Sequence, residues 1–144
     1  MTVSYTRDER VTLLAVADRV ELTALADELL ATFEAPVVTA APEVGVVVFQ
    51  VREPVCGDRF QLGEVVVTRA EVEGRGETGW SRRMGVDREA ALSAALCEAA
   101  ALIDPDAAFA VAALCARTED RRARAAATEW SDLAPTRVVF EELA

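Results

Sequence analysis

From Arg59 to Val72 the chain reads Arg-Phe-Gln-Leu-Gly-Glu-Val-Val-Val-Thr-Arg-Ala-Glu-Val, and this stretch constrains the fold more than any other. Val65 to Val67 is a β-branched run. Val66, Thr68, Ala70 and Val72 recur at period two, which gives a strand over 60–72 one apolar face. Its opposite face carries Arg69 and Glu71, charges that a plain sheet strand has no need of.

Two further strands flank it. Val44 to Val51 is continuously apolar, so it is expected to be buried on both faces. A short apolar piece, Val37-Val38, lies before it between Pro36 and Pro42. Gly74-Arg-Gly-Glu-Thr-Gly79 reads as a turn, and Trp80 to Met84 as the returning strand. Strands 44–51, 60–72 and 80–84 form an antiparallel meander, and Thr136 to Phe140 is expected to add a closing strand.

The helices announce themselves by their caps. Thr6-Arg-Asp-Glu9 is a capping box. Asp18 caps a helix with Leu22, Leu25, Ala26, Leu29, Leu30 and Phe33 at helical spacing. Asp87 caps a third helix with Leu92, Leu96, Ala99 and Ile103 as its core stripe. Asp104-Pro105 opens a fourth that includes Phe109, Val111 and Leu114, with Pro at the first position. Thr118 is expected to cap a last one ending near Trp130 and Leu133, before Pro135. The resulting expectation is an α+β fold in one domain, 1–144: an antiparallel sheet of about four strands packed with about four to five helices.

Charge and composition exclude several functions. All 15 basic residues are Arg, set against 25 acids, which gives a formal charge of −10. A field of that sign repels phosphate backbones and disfavours both nucleic acid and anionic membrane surfaces. The helix pair over residues 6–34 is therefore read as core packing, since residues 21–34 hold Glu21, Asp27, Glu28 and Glu34 and no Arg. With no His in the chain, neither a Ser-His-Asp triad nor an imidazole metal ligand can come from it. Cys56, Cys97 and Cys115 are widely spaced, which suits reduced thiols that pack inertly. The absence of a signal profile or a long apolar run leads to the expectation of a cytoplasmic, soluble chain.

Three clusters qualify as candidate sites. Gly74 to Gly79 spells G-x-G-x-x-G, but no helix opens within it and Glu98 falls inside a helix, so a hairpin turn is preferred over a dinucleotide site. Arg82, Arg83 and Arg88 gather near the helix capped by Asp87, the parts a phosphate site uses; solvated or partner-bound arginines are the alternative. Arg117, Arg121 and Arg124 share a helix face that would suit an acidic partner, or would simply be wet. Trp80 and Trp130 are candidate core or interface anchors.

The order of several blocks resembles the PhnG family of the bacterial carbon–phosphorus lyase system. They are Arg10 to Ala17, Ala41-Pro-Glu-Val-Gly45, Gly57-Asp-Arg-Phe60, Leu62-Gly-Glu64, Val67-Thr-Arg69, Gly79-Trp-Ser81, Ala95-Leu96 with Glu98-Ala99, and Pro135-Thr-Arg-Val138 with Phe140. Val86 stands where the family often has Arg, and Glu141 where an aromatic is usual. The resemblance implies a subunit of the lyase core complex, partnered above all by the large PhnI-type subunit. It implies participation in α-D-ribose 1-methylphosphonate 5-triphosphate synthase, a transferase in which a phosphonate displaces adenine from ATP. ATP would then be a substrate of the complex. No cofactor, metal or catalytic residue is expected on this chain, and the radical iron–sulfur step belongs to another subunit. Arg69, Arg82 and Arg83 are the candidate triphosphate contacts, and Trp80, Arg117, Arg121 and Arg124 the candidate partner contacts. The alternative is a purely structural subunit that touches no substrate.

Overall fold

The computed structural model describes residues 4–137. Helices α1 (Arg7–Ala15) and α2 (Arg19–Leu30) precede a meander of β1 (Val37–Arg52), β2 (Arg59–Gly74) and β3 (Glu77–Met84); α3 (Arg88–Ile103), α4 (Pro105–Leu133) and a short 3-10 turn follow. The sheet order is β1-β2-β3, antiparallel throughout. This is the expected α+β class with one strand fewer among the described residues. Of the proposed closing strand, Thr136 ends the 3-10 turn, while 138–140 lie outside the described residues.

The local signals form as read. Thr6 and Glu9 close a reciprocal capping box. Asp18, Asp87 and Asp104 each accept backbone N–H bonds at a helix start. Arg75 and Gly76, the two residues between the paired Gly74 and Glu77, both have positive φ, as a two-residue hairpin loop requires. The G-x-G-x-x-G string is therefore a hairpin, with no helix start for a phosphate to meet.

Three expectations are corrected. The piece at Val37-Val38 and the strand at 44–51 are one strand, which passes Pro42 at a register shift on the sheet edge, where proline is tolerated. Val44 to Val51 is not buried on both faces: Val46, Val48 and Phe49 are exposed. The reason is geometric. β3 stops at Met84, opposite Val67, so β1 and β2 run on together as a two-stranded ribbon with no third strand beside it among the described residues. Thr118 caps nothing; it is buried inside α4, which runs unbroken because no Gly or Pro separates Cys115 from Trp130. Phe109 points outward, and only Val111 and Leu114 of that group enter the core.

α3 is the centre of the molecule. It packs on β2 and β3 on one side, and on α2 and α4 on others. Buried residues surround it on every face, Ala90, Ala91, Ala94, Ala95, Cys97, Ala99 and Ala100 among them. The expected stripe of Leu92, Leu96, Ala99 and Ile103 is only part of this contact. Small side chains let the sheet approach closely, most of all at Gly79. A Cβ there would lie 2.2 Å from the backbone nitrogen of Ala99 and 2.3 Å from the carbonyl oxygen of Ala95.

Gly79→Ala is expected to destabilise the fold by about 3 kcal/mol or more, because the obstructing atoms are backbone and cannot rotate away. Thermal unfolding should show a fall on the order of 10 °C. An unchanged midpoint would mean that β3 and α3 are not in this contact.

Candidate functional site

Residues paired across the sheet share a face, and this sorts the candidate arginines. Thr68, Ala70 and Val72 of β2 oppose Arg83, Ser81 and Gly79 of β3, and these point toward α3. Val67, Arg69 and Glu71 oppose Met84, Arg82 and Trp80, on the outer face of the sheet. Arg69 and Arg82 are therefore direct cross-strand neighbours, whereas Arg83 is on the other side.

Arg83 is committed to the fold. Its Nη1 donates to the carbonyl of Leu14 at 2.6 Å and its Nη2 to that of Ala17 at 3.0 Å, tying β3 to the end of α1. Burial lowers its pKa, with Asp87 and Asp18 opposing that shift. The helix start beside it is also filled. Asp87 accepts from the Ala90 N–H, and Arg19 lies 3.3 Å from Asp87 and pairs with Glu89 as well. Thr68 completes the junction: its hydroxyl donates to Gly85 O at 2.7 Å and accepts from the Asp87 N–H. Arg88 is exposed at the first position of α3.

On the outer face Arg69 and Arg82 are both exposed, and like charges directly opposite repel. Glu43 lies 3.4 Å from Arg69 and offsets this in part. Trp80, 39% exposed, and Met84 continue the face. The product is an open surface where two guanidinium groups adjoin apolar area, suited to a carboxylate or phosphate carried by something large. The hollows elsewhere do not include it. That between Phe33, Glu34, Arg75 and Ile103 holds about 30 Å³, enough for a water. Another, of about 310 Å³, is lined by Tyr5, Asp8, Glu9 and Glu119, a carboxylate lining that disfavours nucleotide phosphates.

The third arginine group is paired within the chain. Arg117 and Arg121 both bind Glu21 of α2, at 2.7 and 3.2 Å, and Arg124 binds Asp120 one turn back in α4. The shared face exists, but two of its three members fasten α2 to α4.

One buried charge was missed by sequence reasoning. Glu98 is fully buried in α3 and accepts a two-pronged bond from Arg10, at 2.8 and 3.0 Å, with Arg7 at 3.5 Å. The signal was present: a Glu amid Ala and Cys, on a helix with no polar face. Cys97 and Cys115 are buried, and burial pushes their thiols up to about 12 and about 11, so neither supplies a thiolate near neutral pH. No group of His, Cys, Asp and Glu among the described residues is placed to hold a metal.

Beyond Met84 the β1–β2 ribbon carries apolar residues on both faces, Val46, Val48 and Phe49 on one strand and Phe60, Leu62 and Val66 on the other. Its tip is tightly held. Glu53 accepts N–H bonds from Val55, Cys56 and Asp58, and Arg52 donates to Gly57 O. Gly57 supplies the positive φ that the turn needs. Val55 stands out from this tip, 88% exposed.

The family model of the phosphonate metabolism protein PhnG matches residues 5–144. The chain belongs to the PhnG family. No individual curated protein matches it. A PhnG-family protein is a subunit in phosphonate metabolism, and among the described residues the ribbon exposes apolar side chains and the outer sheet face exposes Arg69, Arg82, Trp80 and Met84, as surfaces for a neighbour would. No helix among the described residues is long and apolar enough to cross a membrane.

The N–H bonds from the tip hold the Glu53 carboxyl below the usual range, the bond from Val55 foremost. A depressed folded pKa means that the tip is ordered above the unfolded value and loosens as pH falls through the folded one. Amide NMR shifts of Val55 and Cys56 should therefore titrate with a midpoint below the ordinary Glu value of about 4.3. A midpoint at or above that value would contradict the bonding described.

Proposed function

We propose that this chain is an obligate partner subunit of the carbon–phosphorus lyase core complex, and that it takes part in forming ribose 1-methylphosphonate 5-triphosphate from ATP with release of adenine. The observation that carries this reading is the outer sheet face, where Arg69 and Arg82 stand side by side next to Trp80 with no layer over them among the described residues. A subunit that completes a neighbour's site needs such a surface: an open one that closes only on docking.

The chemistry asks for little more from this chain. Displacement at an anomeric carbon gains most from positioned phosphates and a stabilised, oxocarbenium-like transition state. Two guanidinium groups that repel each other in the free chain are relieved by an anion between them. Arg69 and Arg82 would hold triphosphate oxygens, while the large PhnI-type subunit supplies the groups at the reacting carbon. ATP is in this account a substrate of the complex, not a ligand of the isolated chain. Arg83, bound to the carbonyls of Leu14 and Ala17, positions β3 and makes no substrate contact.

A structural subunit is the second reading, favoured by the Arg69–Glu43 contact and by the pairing of Arg117 and Arg121 with Glu21. In it the same face binds a neighbour's carboxylates and Trp80 anchors the joint.

Adenine release from ATP and methylphosphonate, measured on the co-purified complex, distinguishes the two. With Arg69→Ala/Arg82→Ala the complex should still assemble, and turnover should fall roughly tenfold to a hundredfold, as for lost phosphate contacts. Full turnover in an intact complex would remove the substrate contact; loss of assembly would favour the structural reading.

A further inference from the structure

α4 has two unlike halves. From Pro105 to Thr118 it is packed, burying Ala107, Val111, Leu114, Cys115 and Thr118. From Glu119 to Leu133 every residue is exposed. These 15 residues form an arm of about 22 Å at 1.5 Å per residue. A free helix of that length is marginal in water.

The arm is nevertheless patterned. Ala123, Ala126, Trp130 and Leu133 recur at intervals of three and four, which makes one seam. At 100° per residue this seam lies roughly 95° around the helix from the buried stripe of the first half. It therefore lies to one side of that stripe, with Leu133 at the azimuth of Cys115. Trp130 and Leu133 are 66% and 51% exposed.

Two properties of the seam fit it to its own copy. It is small at one end and large at the other, with Ala123 and Ala126 followed by Trp130 and Leu133. The charges beside it are graded too. Of the charges that flank it, Arg122 lies toward the start and Glu129 two turns on along the same side, and neither makes an ion pair among the described residues. Glu119 precedes the seam, and Asp120 and Arg124 lie off it, paired with each other. An antiparallel pair satisfies both. With the crossing near Ala126, each Trp130 lies over the other copy's Ala123, and each Arg122 approaches the other copy's Glu129. A parallel pair would set Trp130 against Trp130 and like charge against like.

We infer that the second half of α4 is a self-recognition helix, which joins two copies of this chain in an antiparallel pair centred near Ala126. The inference stands apart from the function proposed above. α4 packs on α1, α2 and α3, whereas Arg69 and Arg82 lie on the sheet face turned away from α3. Two short helices bury less than the roughly 800 Å² per partner of a standard interface, so the pair of isolated chains is a weak one.

Sedimentation velocity of the purified full chain, from about 1 µM to about 100 µM, should show a monomer–dimer transition. Arg122→Glu and Glu129→Arg should each weaken the dimer roughly tenfold or more, because each change strikes two symmetry-related pairs. The double variant should restore it, and the two single variants mixed should form a heterodimer. Ala126→Cys in a Cys56→Ser background should cross-link to its own copy on oxidation. All these positions are exposed, so the fold is kept; circular dichroism checks that. A chain monomeric throughout, a dimer indifferent to both charge reversals, or a dimer lost instead through Phe49→Ser and Leu62→Ser in the ribbon would each overturn the proposal.

Discussion

The structure depends on how closely a sheet can approach a helix. At Gly79 β3 rests on the backbone of α3, between Ala95 and Ala99, with no side chain between them. That contact explains the composition of α3. A helix buried on all sides normally presents large apolar residues to its neighbours, with interaxial distances of about 8–10 Å. Here Ala and Cys take those places, and Leu14, Leu22, Val72, Val111 and Leu114 of the surrounding elements fill the space. The bulk of the core belongs to the periphery, and the small residues to the centre. Dispersion at short range replaces large individual burial terms.

A helix with no wet face has nowhere neutral to put a charge, and this explains the bond from Arg10 to Glu98. A carboxylate buried alone would cost several kcal/mol, so its partner must reach it with both prongs. α1 supplies that partner, and its capping box fixes where Arg10 lies along the helix. Arg83 fastens the opposite end of α1 by its carbonyls. Two arginines thus hold one short helix, Arg10 through a buried acid and Arg83 through carbonyls at and just beyond its C-terminal end. Among the described residues the remaining buried side-chain polar atoms are satisfied as well.

What could be read in the sequence was local. Thr6, Asp18, Asp87 and Asp104 bond to N–H groups two or three residues away, so their roles follow from the chain alone. The alternation through Thr68 and Ala70 was equally plain, because a strand face is a matter of parity. Burial was harder. Val46 and Val48 are as apolar as any core strand, but what covers a strand depends on where the next one stops, and β3 stops at Met84. The arginines show the same limit. Arg82 and Arg83 are adjacent in the chain and on opposite faces of the sheet. Arg117 looks free until α2 brings Glu21 to it. Thr118 resembles a cap in isolation and is a core residue only because α1 and α3 pack nearby. The outer face itself, with Arg69 opposite Arg82, follows from a pairing register that no periodicity specifies.

The ribbon of β1 and β2 also bears on how such a chain is made. An edge strand of 16 residues, unpaired along one side among the described residues and with Val46, Val48 and Phe49 exposed, is a template for any other unpaired strand. A copy without its partners carries that hazard for as long as it waits. Selection would then act on timing and dosage as strongly as on contacts: synthesis matched to that of the neighbours, assembly close to the ribosome, and prompt removal of any surplus. Whatever pairs with this edge also removes the hazard, so the tendency of the chain to self-associate is set by whether the ribbon is covered.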